Sequence, residues 1–178
     1  MIRCSVYVAV SLDGYIAGEN DDLAWLNPPE GTPPGEDFGF KDFFASVDVV
    51  IMGRRTYAAV MGFENWPYPD KRVIVLAHQP FNIPPHLTAN IERMSGEPGE
   101  IVDALEKQGV RHAYVDGGLT IQAFLEAGLI DEMTLTHIPM VLGGGVPLFG
   151  STRHPIHLRH VETKHYSNGY VQTKYNLD

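Results

Sequence analysis

Two short segments of this chain carry residue types that could hold a phosphate. The first is Gly53-Arg54-Arg55-Thr56, which follows an apolar run and opens a stretch of helical composition. Backbone N–H groups at a helix start have no partner within the helix and carry partial positive charge. Two arginines beside them can meet phosphate oxygens through paired N–H bonds, and Thr56 adds a hydroxyl. A solvated helix start with salt bridges has the same composition, so the segment alone leaves both readings open. The second is Asp116-Gly117-Gly118-Leu119-Thr120, between a strand pattern and a helix pattern. Paired glycines let a backbone pass close to a ligand, or simply make a tight strand-to-helix turn. Neither segment is a GxGxxG fingerprint or a P-loop. Ligands of open α/β sheets gather outside the carboxyl ends of strands. Both segments belong there by pattern, and their co-occurrence favours a phosphate-bearing cofactor.

Other candidates carry less. The glycines of Leu142-Gly143-Gly144-Gly145-Val146-Pro147-Leu148-Phe149-Gly150 read as a connection across the sheet, with a lid or rim as the functional alternative. His154, His157 and His160 recur at three, but Pro155 prevents one helical face, and no HExxH is present. Histidines on the surface or at strand edges are expected, with no metal. No GxSxG elbow appears, and Cys4 at a strand start reads as a small buried hydrophobe.

The elements that must position these segments follow from hydrophobic pattern. Buried strands are expected at 4–10, 48–53 and 72–76, further strands at 112–116 and, with alternation, at 132–138, and an edge strand near 87–91. Helices are expected over 37–45, 54–60, 100–108 and 119–127. Residues 156–177 read as two strands around Ser167-Asn168-Gly169, a strong hairpin signal. Residues 27–37, with four prolines and two glycines, form an irregular loop. The order predicts an α/β fold in one domain over residues 1–178: a mostly parallel sheet of about eight strands, covered on both faces by about four helices, with a C-terminal antiparallel hairpin.

Composition narrows the function. Thirteen lysines and arginines against 22 acids give a net charge of −9. That disfavours a general binder of nucleic acid or of anionic membranes, which needs clustered positive charge. One cysteine allows no internal disulfide and no four-thiolate zinc site. No apolar run reaches the roughly 18 residues of a membrane span, and no secretory signal is visible, so a cytoplasmic location is expected.

Several of these segments resemble a known family. Val50-Ile51-Met52-Gly53-Arg54-Arg55-Thr56-Tyr57 resembles the GRxT segment of dihydrofolate reductases. Leu135-Thr136-His137-Ile138 resembles their LTHI strand, Asp116-Gly117-Gly118 their Gly-Gly turn, and Ser11-Leu12-Asp13-Gly14-Tyr15-Ile16-Ala17 their first substrate loop. Asp13 to Ala17, Gly117 to Thr120 and Leu142 to Leu148 are more similar still to a sister group. That group is the reductase domain at the C-terminal end of bifunctional riboflavin-biosynthesis deaminase-reductases, together with its stand-alone relatives. The match spans about 4 to 175 in the right order.

The resemblance implies a dihydrofolate reductase-like three-layer fold and NADPH as cofactor. Ala9 and Ile16 would border the nicotinamide. Gly53, Arg54, Arg55 and Thr56 would hold the 2′-phosphate and pyrophosphate, with Gly117, Gly118, Leu119 and Thr120 on the other side. Leu76, Ala77 and His78 would flank the adenosine ribose, His78 standing where the reductases commonly have a serine. Asp37 falls where dihydrofolate reductases carry the acid that supports pterin protonation. Beside Phe38 and Phe40 its pKa could be raised for proton delivery. A loop or helix-cap aspartate is the alternative reading, and Asp42 is a rival acid. Lys71, with Arg72 next to it, matches the arginine that grips the folate tail, and a lysine does not reproduce that two-pronged contact.

The implied activity is hydride transfer from NADPH to a C=N or C=O carbon of a small heterocycle. The first expected substrate is an aminopyrimidine of the 5-amino-6-(5-phosphoribosylamino)uracil type, and the second is dihydrofolate. A non-catalytic NADP(H)-binding protein is the alternative from another class. The sister group being commonly dimeric, the resemblance allows a homodimer through Phe149 and the C-terminal hairpin.

Overall fold

The computed structural model of the chain describes residues 1–27 and 29–177. Its strands are β1 (Arg3–Ser11), β2 (Tyr15–Ala17), β3 (Val49–Gly53), β4 (Arg72–Leu76), β5 (Ile91–Met94), β6 (His112–Asp116), β7 (Glu132–Ile138), β8 (Val146–Pro147), β9 (Leu158–His165) and β10 (Val171–Leu177). Its α-helices are α1 (Phe40–Ser46), α2 (Arg54–Val60), α3 (Pro98–Lys107) and α4 (Gly118–Glu126). The main sheet has eight strands in the order β5-β4-β3-β6-β1-β7-β10-β9. The first six pair in parallel, and β10 and β9 add on antiparallel.

The apolar runs are continuous because both faces of the parallel strands are buried. Side chains alternate between the faces. Val49 and Ile51 of β3 join Ile74 and Val115 in one core, against Ile101 and Leu105 of α3 and Ile121 and Phe124 of α4. Val50 and Met52 point the other way and join Val73, Val75 and Tyr114 in a second core, against Tyr57 and Val60 of α2. Phe40, Phe43 and Phe44 of α1 close that second core. Helix α3 begins two residues before its expected start because Pro98 suits the first turn and Glu97 and Glu100 form a reciprocal capping box.

Three expectations need correction. The edge strand lies at Ile91–Met94, and Pro85–Leu87 is a short 3-10 turn that lays Leu87 into the second core. Tyr15–Ala17 and Val146–Pro147, read as loop, pair with each other as a small second sheet. The cover on both faces stops at the hairpin, where every residue of β9 is exposed. The hairpin turn itself lies where expected, closed by Tyr166 N–H donating to the Tyr170 carbonyl at 2.9 Å, with Gly169 at φ 88°.

One histidine is not at the surface. His112 is 5% exposed, at the amino end of β6. Its Nε2 lies 2.7 Å from Ser5 Oγ, which donates to Glu132 Oε1 at 2.8 Å. Arg3 and the Ser46 carbonyl each lie 3.0 Å from its Nδ1. Burial, helped by the Arg3 charge, holds the imidazole below its ordinary value of 6.5 despite the pull of the backbone carbonyl and the nearby acids. The folded state therefore resists protonation that the unfolded chain accepts. The stability gained from the neutral ring is complete above pH 6.5 and is lost as pH falls below it. Urea unfolding should accordingly show a midpoint that drops from pH 7 to pH 5, with a shallower drop in His112→Gln.

Candidate active site

The sheet order brings the two candidate segments to neighbouring strand ends. Strands β3 and β6 are adjacent, with Met52 opposite Asp116. Gly53 therefore leaves β3 beside the point where Gly117 leaves β6. The contact between them is very close. A Cβ at Gly117 would lie 2.1 Å from Thr56 Oγ1, and one at Gly53 would lie 3.0 Å from Thr120 Oγ1. A Cβ at Gly118 would lie 2.7 Å from Val146 Cγ1 and 2.9 Å from the Pro147 carbonyl. Gly117 also has φ 90°, so both space and backbone angle demand glycine there.

A groove and a chamber share this junction, with Asp21, Thr56, Gly118 and Val146 in both walls. The groove is lined by Gly53, Arg54, Arg55, Leu76, Leu119 and Thr120, besides the shared residues. The chamber contains Ala9 and Ile16 with Tyr7, Phe63, Tyr68 and Asp116. It opens where β1 and β6 part: their ladder covers Arg3–Ser5, and the chamber begins at Tyr7. Thus Ala9, Ile16, Gly53, Arg54, Arg55, Thr56, Leu76, Gly117, Gly118, Leu119 and Thr120 come together around one cleft. His78 does not line it, and its carbonyl accepts a bond from Arg93 at 3.0 Å.

The paired arginines are not equivalent. Among the described residues Arg54 has no hydrogen-bond or ion-pair partner, and it lies exposed on the groove wall. Arg55 meets both carboxylate oxygens of Asp21, at 2.9 and 3.1 Å. Asn20 and Asp21 have φ of 57° and 62°. Two consecutive left-handed residues without glycine cost energy, so the surrounding loop holds Asp21 in this place.

Asp116 is the acid that sequence reasoning missed. It sits at the carboxyl end of β6, facing the chamber. Its Oδ1 accepts from the Gly117 N–H at 2.8 Å, and its Oδ2 from the Tyr68 hydroxyl at 3.1 Å. The neighbouring Tyr114 hydroxyl gives its one proton to the Tyr7 carbonyl at 3.0 Å. Burial raises the Asp116 pKa above the ordinary 3.8, outweighing its donors. The available signal was an acid directly after the apolar Ala113-Tyr114-Val115 and before two glycines.

Asp37 is placed differently from the proton-donor expectation. Its carboxylate accepts from the backbone N–H of Gly39 at 3.1 Å and of Lys41 at 2.9 Å. These bonds tie down the start of α1 and, the Lys41 N–H foremost, lower its pKa. It does not line the chamber. The geometry matches the helix-cap alternative, and the rival Asp42 is exposed in the first turn of α1. Lys71 is also engaged, donating to the Val47 carbonyl with its ammonium 4.8 Å from the Phe44 ring centre. Arg72 binds Glu92 and Gln108.

The glycine run at 142–150 forms the rim. Leu142 and Gly143 N–H donate to the Asp13 carboxylate at 3.0 and 2.8 Å. The next residues pair as β8 with β2, and Val146 reaches the chamber and the groove. A Cβ at Gly145 would lie 2.1 Å from the Ala17 carbonyl.

Comparison with known proteins gives this cleft a family. Residues 4–172 match the RibD C-terminal domain. The chain belongs to the RibD C-terminal domain family. It is 33% identical over 172 residues to the uncharacterized protein YwjB of Bacillus subtilis (strain 168), covering 96% of this chain and 95% of that protein. It is 27% identical to dihydrofolate reductase HdrB of Haloferax volcanii, over 74% of this chain and 66% of HdrB. Among solved structures, a protein of Shewanella sp. PV-4 named for riboflavin biosynthesis superposes with a TM-score of 0.92 at 36% identity, covering 99% of each chain. Dihydrofolate reductase from Enterococcus faecalis, complexed with NADP(H), superposes with a TM-score of 0.68 at 16% identity, covering 99% of this chain and 96% of that one. The latter likeness shows that the RibD C-terminal domain here has the dihydrofolate reductase-like fold. Among the described residues no helix is long and apolar enough to cross a membrane.

The rim offers a direct test. The Ser11 hydroxyl, followed by the Leu142 and Gly143 amides, lowers the Asp13 carboxyl from 3.8 to about 2. Its bonds to the rim are complete above pH 3.8 and are lost as pH falls towards about 2. Hydrogen exchange at the Leu142 and Gly143 amides should be faster in Asp13→Asn, and the gap to the parent should close at the acid end of that range.

Proposed function

We propose that this RibD C-terminal domain is an NADPH-dependent reductase acting on a small heterocycle. The observation that carries this reading is the junction itself: a flush glycine cradle and an unpaired Arg54 line a groove that opens directly into an aromatic chamber holding Asp116. The residues fit a dinucleotide. Gly53, Gly117 and Gly118 let the two strand exits and the rim pack flush, which brings the Thr56 and Thr120 hydroxyls to the junction. Arg54 would take the 2′-phosphate and Leu76 would lie along the adenosine. Leu119, exposed on the groove wall, would cover the other side. Ala9 and Ile16 would border the nicotinamide. When bound, that group supplies a hydride.

The chain's own part is to position the ring, exclude water and supply a proton. Phe63, Leu23 and Leu26 make the chamber wall apolar, which keeps the reacting carbon away from bulk water. Protonated Asp116 would deliver its Oδ proton to the ring nitrogen as a C=N bond is reduced, and take a new one from solvent afterwards. This gives the donor role to Asp116 rather than Asp37. The family supports an aminopyrimidine of the riboflavin pathway as the first ring to test, and HdrB supports a pterin as the second.

NADPH fluorescence titration and NADPH oxidation test the reading separately. Arg54→Ala should weaken NADPH binding by about tenfold or more, because a charge-assisted contact is lost, while NADH binding stays unchanged. Equal loss for both cofactors would count against the assignment. Asp116→Asn should bind NADPH normally and turn over at a small fraction of the parent rate. Because the Asp116 pKa is raised, the parent rate should fall as pH climbs past it and the proton is lost. The Asn variant should lack that limb.

A further inference from the structure

On the reductase reading, Asp116 changes charge in every turnover, and a side chain from outside β6 is bonded to it. Tyr68 comes from the irregular stretch between α2 and β4, with Pro67 and Pro69 on either side. A residue before proline is confined to extended backbone, which narrows where Tyr68 can point. It is 5% exposed and belongs to the second core, yet it also lines the chamber. Its ring meets Trp66 edge-on at 5.4 Å between centres and lies 5.9 Å from Phe44. Its carbonyl accepts from the Trp66 indole N–H at 2.9 Å. The phenol is thus pinned through both ring and backbone, and its hydroxyl ends 3.1 Å from Asp116 Oδ2. Burial, followed by the Asp116 charge, pushes that hydroxyl well above its ordinary 10, so it stays a donor. The Gly117 N–H holds Oδ1. Of the other titratable groups at this end of the chamber, Tyr114 on β6 gives its proton to the Tyr7 carbonyl, and Tyr7 itself lies on β1. Among the described residues Asp21, paired with Arg55, is the other charged residue of the lining.

We propose that Tyr68 is the positioning residue for proton delivery: its hydroxyl fixes the plane of the Asp116 carboxyl and supports the carboxylate left behind when the proton has gone to the ring nitrogen. This role rests on the reductase reading and adds a residue to it. A hydroxyl bonds a neutral carboxyl modestly, and the bond becomes charge-assisted, roughly twice as strong, once the acid ionises. Tyr68 therefore favours the state after proton transfer over the state before it. Burial works the other way, because a carboxyl in an apolar wall without donors holds its proton too tightly to be a good acid. The Gly117 N–H belongs to the next residue and cannot orient Asp116 independently of β6. Tyr68 can, because its position is set by Trp66, Phe44 and the flanking prolines.

Tyr68→Phe keeps the ring and removes the donor. Two readouts follow it. One is the carbon-13 titration of the Asp116 carboxyl, its signal identified by its absence from Asp116→Asn. The other is the pH profile of kcat for NADPH oxidation with an aminopyrimidine or pterin substrate. A donor to the carboxylate holds the acid down, so its loss should move the titration and the alkaline limb of the profile up together, by about one pH unit. Below the limb kcat should fall roughly threefold or more, because a more tightly held proton is given up less readily. KM and NADPH binding should stay at the parent values. Replacing Tyr68 by 3-fluorotyrosine strengthens the donor without removing it, and should move the titration and the limb down. A carboxyl titration that stays in place or falls in Tyr68→Phe overturns the proposal, and so does a limb that stays in place while the titration moves. If the parent oxidises NADPH with no substrate, the reductase reading fails, and the carboxyl titration still decides whether Tyr68 sets Asp116.

Discussion

The cleft depends on one backbone contact, the approach of Gly117 to Thr56. A side chain at position 117 would lie inside Thr56 Oγ1, and the φ of 90° already requires glycine. The contact locks the exit of β6 to the first turn of α2, so the groove-lining Arg54 and the chamber acid Asp116 are set from one junction. Val146 closes the same junction from the rim, since Gly118 has no Cβ to collide with it. Chemistry at the carboxyl ends of parallel strands needs such a junction, because β3 and β6 diverge from one another in sequence and meet only through register.

How the strands separate explains where the chamber lies. Strand β1 stays beside β7 from Ser5 to Ser11 but leaves β6 after Ser5. Aromatic rings of the second core pack beside the gap: Tyr7 stacks on Phe43 at 4.6 Å between ring centres, and Tyr114 meets Phe43 edge-on at 5.2 Å. The Tyr114 hydroxyl then bridges the parted strands by donating to the Tyr7 carbonyl. Asp116 is thus held by groups that are themselves packed, which suits an acid required in one orientation.

The parallel sheet was legible because burial on both faces leaves uninterrupted apolar runs, as in Val49-Val50-Ile51-Met52. Short pairings such as β2 with β8 leave no such trace, since two or three residues carry no period. The glycine turns and Arg54 were legible from type and position. The loss of Arg55 to Asp21 was not, because 34 residues separate them and a strained loop brings them together. Asp37 and Asp116 show the limit more sharply. The resemblance offered Asp37 as the acid, with a helix-cap role as the alternative, and the chain spends Asp37 on the start of α1. The chamber acid comes instead from a strand end that had been valued only for its glycines.

The Asp21–Arg55 pair shows why charge bookkeeping has to follow geometry. Counted along the sequence, Gly53-Arg54-Arg55 offers two cations to one ligand. In the fold the carboxylate of Asp21 faces one of them, with the pair open to solvent, its side chains 66% and 32% exposed for Arg55 and Asp21. Such a pair is worth little by itself. The left-handed turn at Asn20 and Asp21 therefore has to be held by the packing of the loop around it, with Leu23 and Leu26 on the chamber wall. The same loop thus sets two properties at once: it leaves one guanidinium for the groove, and it brings an acid to the chamber mouth.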